Sequence, residues 1–437
     1  MKTRRKREEV SIVTLGCSKN MVDSENILTQ LSANQIVAGH DLSLKNAQTV
    51  IVNTCGFIEA AKQESIDTIL QYAKLKTRGK IEKLYVTGCL SHRYKSDLEL
   101  EIPEVDAFFG TMELPALLAR FDVDYRHELL GERKIMTPQH YAYMKISEGC
   151  NRTCAFCAIP LMRGEHRSRP MEALVHEAQQ LVKNGIKEIL LIAQELTYYG
   201  LDLYKKRMLP QLLDQLASVK GIEWIRLHYA YPSKFPREVF DVMASHENIC
   251  NYIDMPLQHA DNDVLQRMKR QITREETIDL ISYARKVVPN LTFRTTMLVG
   301  FPGETDAEFQ NLCNFVEEIQ FDRLGVFEYS HEDGTSGALL DDNVPPAKKE
   351  YRAGKLMELQ RGISLKHNEA KIGSIEKVLI DRKEGANFYG RTEGDSPEVD
   401  NEVIIDGTSQ FVRIGDFAMV EITDATEYDL YGNAVIT

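Results

Sequence analysis

The sequence lacks anything that could serve as a secretory signal. Met1, Lys2, Thr3, Arg4, Arg5, Lys6 and Arg7 run into Glu8 and Glu9, with no apolar core behind them. No apolar run reaches membrane-spanning length, and internal repeats and low-complexity tracts are missing too. These absences predict a cytoplasmic protein with no membrane partner. In that compartment thiols stay reduced, so the eight cysteines point to metal or redox chemistry rather than disulfides. An excess of positive charge is also absent. The formal net charge is −12, which disfavours a general grip on nucleic acid, because neutralising phosphates takes clustered Lys and Arg. The basic run at residues 2–7 reads as part of a solvated tail, residues 1–9.

What is present is an ordinary globular composition, 43% hydrophobic and 27% charged, in a chain of 437 residues that exceeds what one core usually supports. The fold class expected is α/β multidomain. Strands over residues 11–15, 49–53 and 83–87 alternate with helices over 23–33 and 58–74, which predicts a doubly wound parallel-sheet domain over residues 10–130. After a Gly- and Pro-containing connector near 130–140, six further strands at 142–147, 188–193, 224–229, 252–256, 292–300 and 323–329 alternate with helical patterns. Six units without a seventh and eighth predict an open, partial (β/α)6 barrel in a domain over residues 136–371, its open side suited to a large substrate. Residues 372–437 change character to short strands at 375–380, 387–391, 402–405, 417–425 and 430–436, a small antiparallel β domain.

The chemistry concentrates in Cys150-Asn151-Arg152-Thr153-Cys154-Ala155-Phe156-Cys157, just after the first strand of the open barrel. Three thiolates in eight residues can face one metal centre, and no fourth cysteine lies nearby. Three ligands leave one iron of a four-iron cluster open, which is what S-adenosylmethionine needs to chelate. A zinc site completed by His166 is the alternative, although closed zinc sites normally show paired Cys or Cys/His spacings. Cys17, Cys55 and Cys89 each follow a predicted parallel strand at its carboxyl end, where open α/β sheets place ligands. One such cysteine would be a buried filler; three at equivalent positions predict a second cluster. Cys250 and Cys313 lack such company and read as buried apolar fillers.

The three-cysteine loop with its aromatic Phe156 resembles the radical S-adenosylmethionine superfamily. Nearly the entire chain resembles its methylthiotransferases, with the β domain as a TRAM-like module. Thr14-Leu15-Gly16-Cys17-Ser18-Lys19-Asn20 with Asp23-Ser24-Glu25, Tyr141-Ala142-Tyr143-Met144-Lys145-Ile146, Asp254-Met255-Pro256-Leu257-Gln258-His259 and Phe327-Glu328-Tyr329-Ser330 are similar to the RimO branch. That branch modifies an aspartate of small-subunit ribosomal protein S-twelve. The resemblance implies an enzyme, a transferase of sulfur-containing groups, with two four-iron four-sulfur clusters and S-adenosylmethionine as cofactors. The cluster at Cys150, Cys154 and Cys157 would generate the radical, and the cluster at Cys17, Cys55 and Cys89 would hold the sulfur. One S-adenosylmethionine molecule would supply the methyl group and another the radical. The partners implied are ribosomal protein S-twelve, a low-potential electron donor and a sulfur source.

Phe156, Gln194, Gln258, Gly300, Glu304 and Arg167 are candidate cofactor contacts, because Gln194, Gln258 and the Gly300-Phe301-Pro302-Gly303-Glu304 run end predicted barrel strands at the rim. Gly300 and Gly303 also suit a plain turn, Glu304 a helix-capping anion, and Arg169 joins Arg167 as a carboxylate partner. Where the family usually has Asp-Thr-Thr, this chain has Glu195-Leu196-Thr197, so no role passes to Glu195. Two other functions compete: a MiaB-like transfer-RNA adenosine methylthiotransferase and a non-enzymatic iron–sulfur carrier. Charge bears on the first. Residues 372–437 hold fourteen acidic and five basic groups, a net −9 of the −12. Such a domain repels phosphate and attracts a basic protein, with Glu393, Asp395, Glu398 and Asp400 as expected docking acids; the same acids could instead serve only solubility.

Overall fold

The computed structural model describes residues 9–42, 47–126, 129, 132–408 and 410–435; the expected basic tail lies outside them apart from Glu9. The chain divides into two compact units. The first holds residues 1–137, 143–152 and 158–180, and the second the remainder.

The first unit is built on a five-stranded parallel sheet. Its order is Val37–His40, Glu9–Thr14, Thr49–Thr54, Lys83–Gly88 and Ala107–Phe108. The central strand Thr49–Thr54 is buried at every position, the signature of an interior parallel strand covered on both faces. Val50 and Val52 join Ile69, Ala73 and Leu98 in one core, and Ile51 joins Ile12, Ile27 and Leu31 in another. Helices Ser18–Ala33, Glu59–Thr77 and Cys89–Glu101 connect the strands. The expected strands and helices are all present; the edge strands Val37–His40 and Ala107–Phe108 were not foreseen, being short and weakly patterned. Within this unit Arg133 is buried between Glu25 and Glu177 and also donates to the Tyr143 carbonyl, tying residues 133, 143 and 177 to the first helix.

In the second unit the strands Glu188–Ile192, Trp224–Leu227, Ile249–Asp254, Thr292–Val299 and Arg323–Glu328 lie side by side in chain order and pair in parallel; the residues of strand Tyr141–Lys145 are shared out between the two units. Short βα repeats without a closing strand give the partial barrel expected. Capping boxes at Thr273 with Glu276 and at Thr305 with Glu308 start helices Arg274–Val287 and Asp306–Ile319. Pro346 stands at the first turn of the long helix Pro346–Glu369, where its missing N–H costs nothing.

The remaining strands Ile375–Glu384, Asn387–Arg391, Val403–Asp406, Phe417–Ala425 and Leu430–Val435 close into a barrel around Val378, Ile380, Val403, Val420 and Ile422. Its pairings are antiparallel apart from Val403–Asp406 with Leu430–Val435. In the loop after Asn387–Arg391 Glu398 is exposed, as the docking reading of its acids requires, but Asp395 and Asp400 turn inward. Asp395 takes Arg323 at 2.7 Å, and Asp400 takes Arg294 at 3.1 Å and the Tyr252 hydroxyl at 2.7 Å. The Glu393 carbonyl accepts from Arg226, and Glu398 accepts from Tyr141 at 3.3 Å. Glu188 sits between Arg226 and Arg391, and Ser396 meets His228 at 2.9 Å. Asp395 and Asp400 are therefore internal counter-ions of sheet arginines, each nearly fully buried, and their reversal would break the fold rather than a docking face. The charge count could not separate them from the exposed acids Glu384, Asp406, Glu421 and Asp424.

Among the described residues no helix is long and apolar enough to cross a membrane.

Candidate functional site

Cys17, Cys55 and Cys89 follow three strands that are direct neighbours in the first unit's sheet, each at its carboxyl end. Cys17 precedes helix Ser18–Ala33 and is exposed, whereas Cys55 and Cys89 are buried. Two glycines let the chain pass close to Cys55 and to the neighbouring strand end. Gly16 has φ +86° and a Cβ there would lie 2.8 Å from Cys55 Sγ; Gly88 has φ +103° and would strike the Thr54 carbonyl at 2.4 Å. Asn20 then binds two strand ends, donating to the Leu15 carbonyl at 2.8 Å and the Thr54 carbonyl at 2.9 Å. Ser65 brackets Cys55 by accepting from its N–H and donating to its carbonyl.

Burial pushes the Cys55 thiol up, and the charge of Cys17 adds to this, while the Phe57 and Gly56 amides oppose it. Burial likewise pushes Cys89 up to about 11 against the pull of Arg163. Arg163 ends the short helix Ile159–Arg163, with Nε 3.2 Å from Cys89 Sγ; its other nitrogens donate to Asn20, Asp23 and Glu148. Lys145 pairs with the same Asp23 and Glu148. Three cysteines at neighbouring strand ends, two of them with thiols pushed up by burial, suit a centre that withdraws charge from sulfur, as iron does.

Of the second cysteine motif, Cys150 belongs to the first unit and Cys154 and Cys157 to the second. Cys150 N–H donates to the Gly164 carbonyl at 3.1 Å, and Arg152 N–H donates to Cys150 Sγ at 3.4 Å. Gly149 has φ +77° and leaves no space for a Cβ, which would fall 2.1 Å from the Glu165 carbonyl. His166, the fourth ligand of the zinc alternative, bonds Ser168 at 3.1 Å through Nε2, and its backbone N–H donates to Asn151 Oδ1 at 2.9 Å. In the second unit Cys157 N–H donates to the Cys154 carbonyl at 3.2 Å, and Ala155 is pinned to the Met268 carbonyl at 2.9 Å. Arg270 Nη1 donates to Cys154 Sγ at 3.3 Å, and the Tyr231 hydroxyl lies 3.6 Å from the same sulfur. A buried cation facing thiols again fits a thiolate-ligated metal.

The expected cofactor contacts take varied positions. Phe156 is half-buried against Ala155, Leu298, Phe301 and Tyr329. Gln194 and Gln258 are half-buried. Gln258 has φ +78°, its N–H bonded to Thr296 and its carbonyl to Leu298 N–H. Gly300 has φ +73° and abuts Lys349. The Glu304 carboxylate turns into its own loop, accepting from the Gly300 and Phe301 amides and pairing with Arg352 at 3.2 Å; burial pushes it up to about 7 despite them. Arg167 is exposed, and Arg169 pairs with Glu177 at 2.6 Å. Cys250 and Cys313 are buried, the first with its thiol pushed up to about 12 by burial. Sequence reasoning missed Arg163, Arg270 and Tyr231. Arg163 stands six residues beyond Cys157, but nothing local distinguishes it from a surface arginine, and Arg270 and Tyr231 are distant in sequence.

Comparison with known proteins gives three family matches: the Radical SAM superfamily over residues 144–316, the Uncharacterized protein family UPF0004 over 9–110 and the TRAM domain over 372–435. Among solved structures, the radical S-adenosylmethionine methyltransferase TsrM from Kitasatospora setae, with cobalamin and a 4Fe-4S cluster bound, superposes with TM-score 0.55. It is 12% identical and covers 88% of this chain and 80% of its own, a likeness of fold alone. Three curated relatives carry the name ribosomal protein uS12 methylthiotransferase RimO. They come from Cytophaga hutchinsonii (59% identical, 98% of each chain covered), Flavobacterium johnsoniae (55%, 98% of each) and Phocaeicola vulgatus (49%, 98% of this chain and 99% of the relative). Identity at this level across cysteine domain, open barrel and β barrel alike leaves one assignment: the chain belongs to the RimO family of ribosomal protein uS12 methylthiotransferases, radical SAM enzymes.

Proposed function

We propose that the chain attaches a methylthio group to the β-carbon of an aspartate in ribosomal protein uS12, working in the cytoplasm with two four-iron clusters and S-adenosylmethionine. The observation that carries the two-cluster reading is the pair of separate three-cysteine sets, each with a buried arginine donating to one sulfur. When bound, the cluster of Cys150, Cys154 and Cys157 supplies one-electron cleavage of S-adenosylmethionine to a deoxyadenosyl radical, and that of Cys17, Cys55 and Cys89 supplies the sulfur. A radical route suits a carbon too weakly acidic for a general base.

The protein's own residues bind and orient. The Gly149 turn shapes the chain just before Cys150, and the bond from Ala155 to Met268 holds the chain beside Cys154. Glu304, by gathering the Gly300 and Phe301 amides, shapes the rim loop in which Gly300 would meet the cofactor. Gln194, Gln258, Phe156 and Arg167 are the further cofactor contacts of this reading. Gly16, Gly88 and Asn20 hold the second cysteine set open. Exposed acids of the β barrel, Glu384, Asp406, Glu421 and Asp424, join the exposed Glu398 in place of the buried Asp395 and Asp400 as the surface that attracts a basic protein. A low-potential electron donor and a sulfur source complete the set of partners.

The test is anaerobic. With reductant, sulfide and S-adenosylmethionine, mass spectrometry should place a methylthio group on a uS12 aspartate and leave transfer-RNA adenosines untouched; the reverse result would overturn the substrate. Replacing Cys150, Cys154 and Cys157 with Ala should remove about half the iron and all deoxyadenosine formation. Replacing Cys17, Cys55 and Cys89 should keep deoxyadenosine formation and lose sulfur attachment.

A further inference from the structure

Arg270 is 3% exposed, and among the described residues no carboxylate pairs with it. Nη1 donates to Cys154 Sγ at 3.3 Å, Nη2 donates to the Pro256 carbonyl, and Nε has no hydrogen-bond partner. Tyr231 supports the group twice: its ring lies 4.2 Å under the guanidinium carbon, and its hydroxyl donates to the Arg270 carbonyl at 2.8 Å. The backbone is held at a cost. Lys269 and Gln271, on either side, have φ of +57° and +55°, a left-handed region that non-glycine residues seldom enter. Burying a guanidinium without a counter-anion is costly as well, because the charge gives up its water. A side chain placed at such expense next to sulfur needs that sulfur to be anionic.

We propose that Arg270 is a positioning residue of the radical-generating centre: its guanidinium is the built-in counter-cation of the Cys154 sulfur and raises the reduction potential of the cluster bound there. The inference rests on reading Cys150, Cys154 and Cys157 as that cluster's ligands. One electron from a low-potential reductant makes the cluster one unit more negative. A fixed cation and N–H donor at a ligand sulfur stabilise the reduced state more than the oxidised one, so the donor needs less driving force. Arginine is suited to the position because its planar fork reaches the sulfur and the Pro256 carbonyl at once while stacking on Tyr231; lysine would keep the charge and lose the fork.

The experiment uses the full chain with Cys17, Cys55 and Cys89 replaced by Ala, so that one cluster gives the signal. Arg270→Lys, Arg270→Gln and Arg270→Met are reconstituted anaerobically and titrated with redox mediators under electron paramagnetic resonance, without S-adenosylmethionine. The midpoint potential should fall in the order Arg, Lys, Gln, Met. Loss of iron from variants that keep the parent's circular dichroism also supports the role, since the cation is then needed to hold the ligand set. An unchanged midpoint potential in Arg270→Met with full iron overturns the inference. So does a lower melting temperature of cluster-free Arg270→Met than of its parent, which would make the arginine a structural pillar. Failure of the parent with Arg270 intact to take up a cluster sinks the ligand assignment instead.

Discussion

Two buried arginines end on cysteine sulfur, and their electrostatic company is opposite. Arg163 reaches Cys89, but Asp23 and Glu148 hold it too, and Lys145 balances those carboxylates, so the group is neutral before any thiol ionises. Arg270 reaches Cys154 with only a carbonyl and a tyrosine ring as other company. The same contact therefore differs in meaning: Arg163 is anchored whatever the state of Cys89, whereas Arg270 depends on the charge of its sulfur. If each cysteine set holds a cluster, the one beside Arg270 gains more from its arginine.

The largest expected effect tests that asymmetry through stability. In cluster-free protein Arg163→Met strands Asp23 and Glu148 with Lys145 alone, and about 3 kcal/mol should be lost, by analogy with broken buried ion pairs. Arg270→Met should cost nothing or stabilise; chemical denaturation of both variants decides, and equal losses would dissolve the distinction. Asp23→Asn should cost about 1–2 kcal/mol in the same assay, because one carboxylate then serves two cations.

Thiol chemistry sharpens the comparison further. Cys89, with its pKa raised to about 11, stays protonated at neutral pH, and its alkylation in cluster-free protein should speed up as pH rises toward that value. Arg163 lowers that pKa, so Arg163→Met should raise it and slow alkylation at any pH below it; exposed Cys17 should react first throughout. Peptide mass spectrometry after timed labelling reads both, and faster labelling of Cys89 in the variant would contradict the sign. The smallest effect concerns docking: Glu421→Lys with Asp424→Lys should weaken uS12 binding several-fold at low salt and hardly at all at high salt, since both acids are exposed.

The fold was legible because its parallel strands are apolar runs, as in Val50-Ile51-Val52, with cysteines just past their ends. The three-cysteine loop was legible from spacing alone. Long-range charge pairing was not. Asp395 and Asp400 look like any loop acids until Arg323 and Arg294, about seventy and a hundred residues upstream, are seen to face them. Arg270 is hidden for the same reason, since its partner sulfur is 116 residues away.

The loop at residues 392–400 has a consequence for how this protein can be cut. Ending the chain before residue 372 looks safe, because a helix finishes there and a separate barrel begins. Yet the shortened chain would lose the Asp395 that faces Arg323, the Asp400 that faces Arg294 and the Arg391 that faces Glu188, leaving ionised groups in what had been an interior. The barrel is thus a bung as much as a module, and anyone seeking a minimal radical fragment should first replace those sheet residues with apolar ones of similar volume.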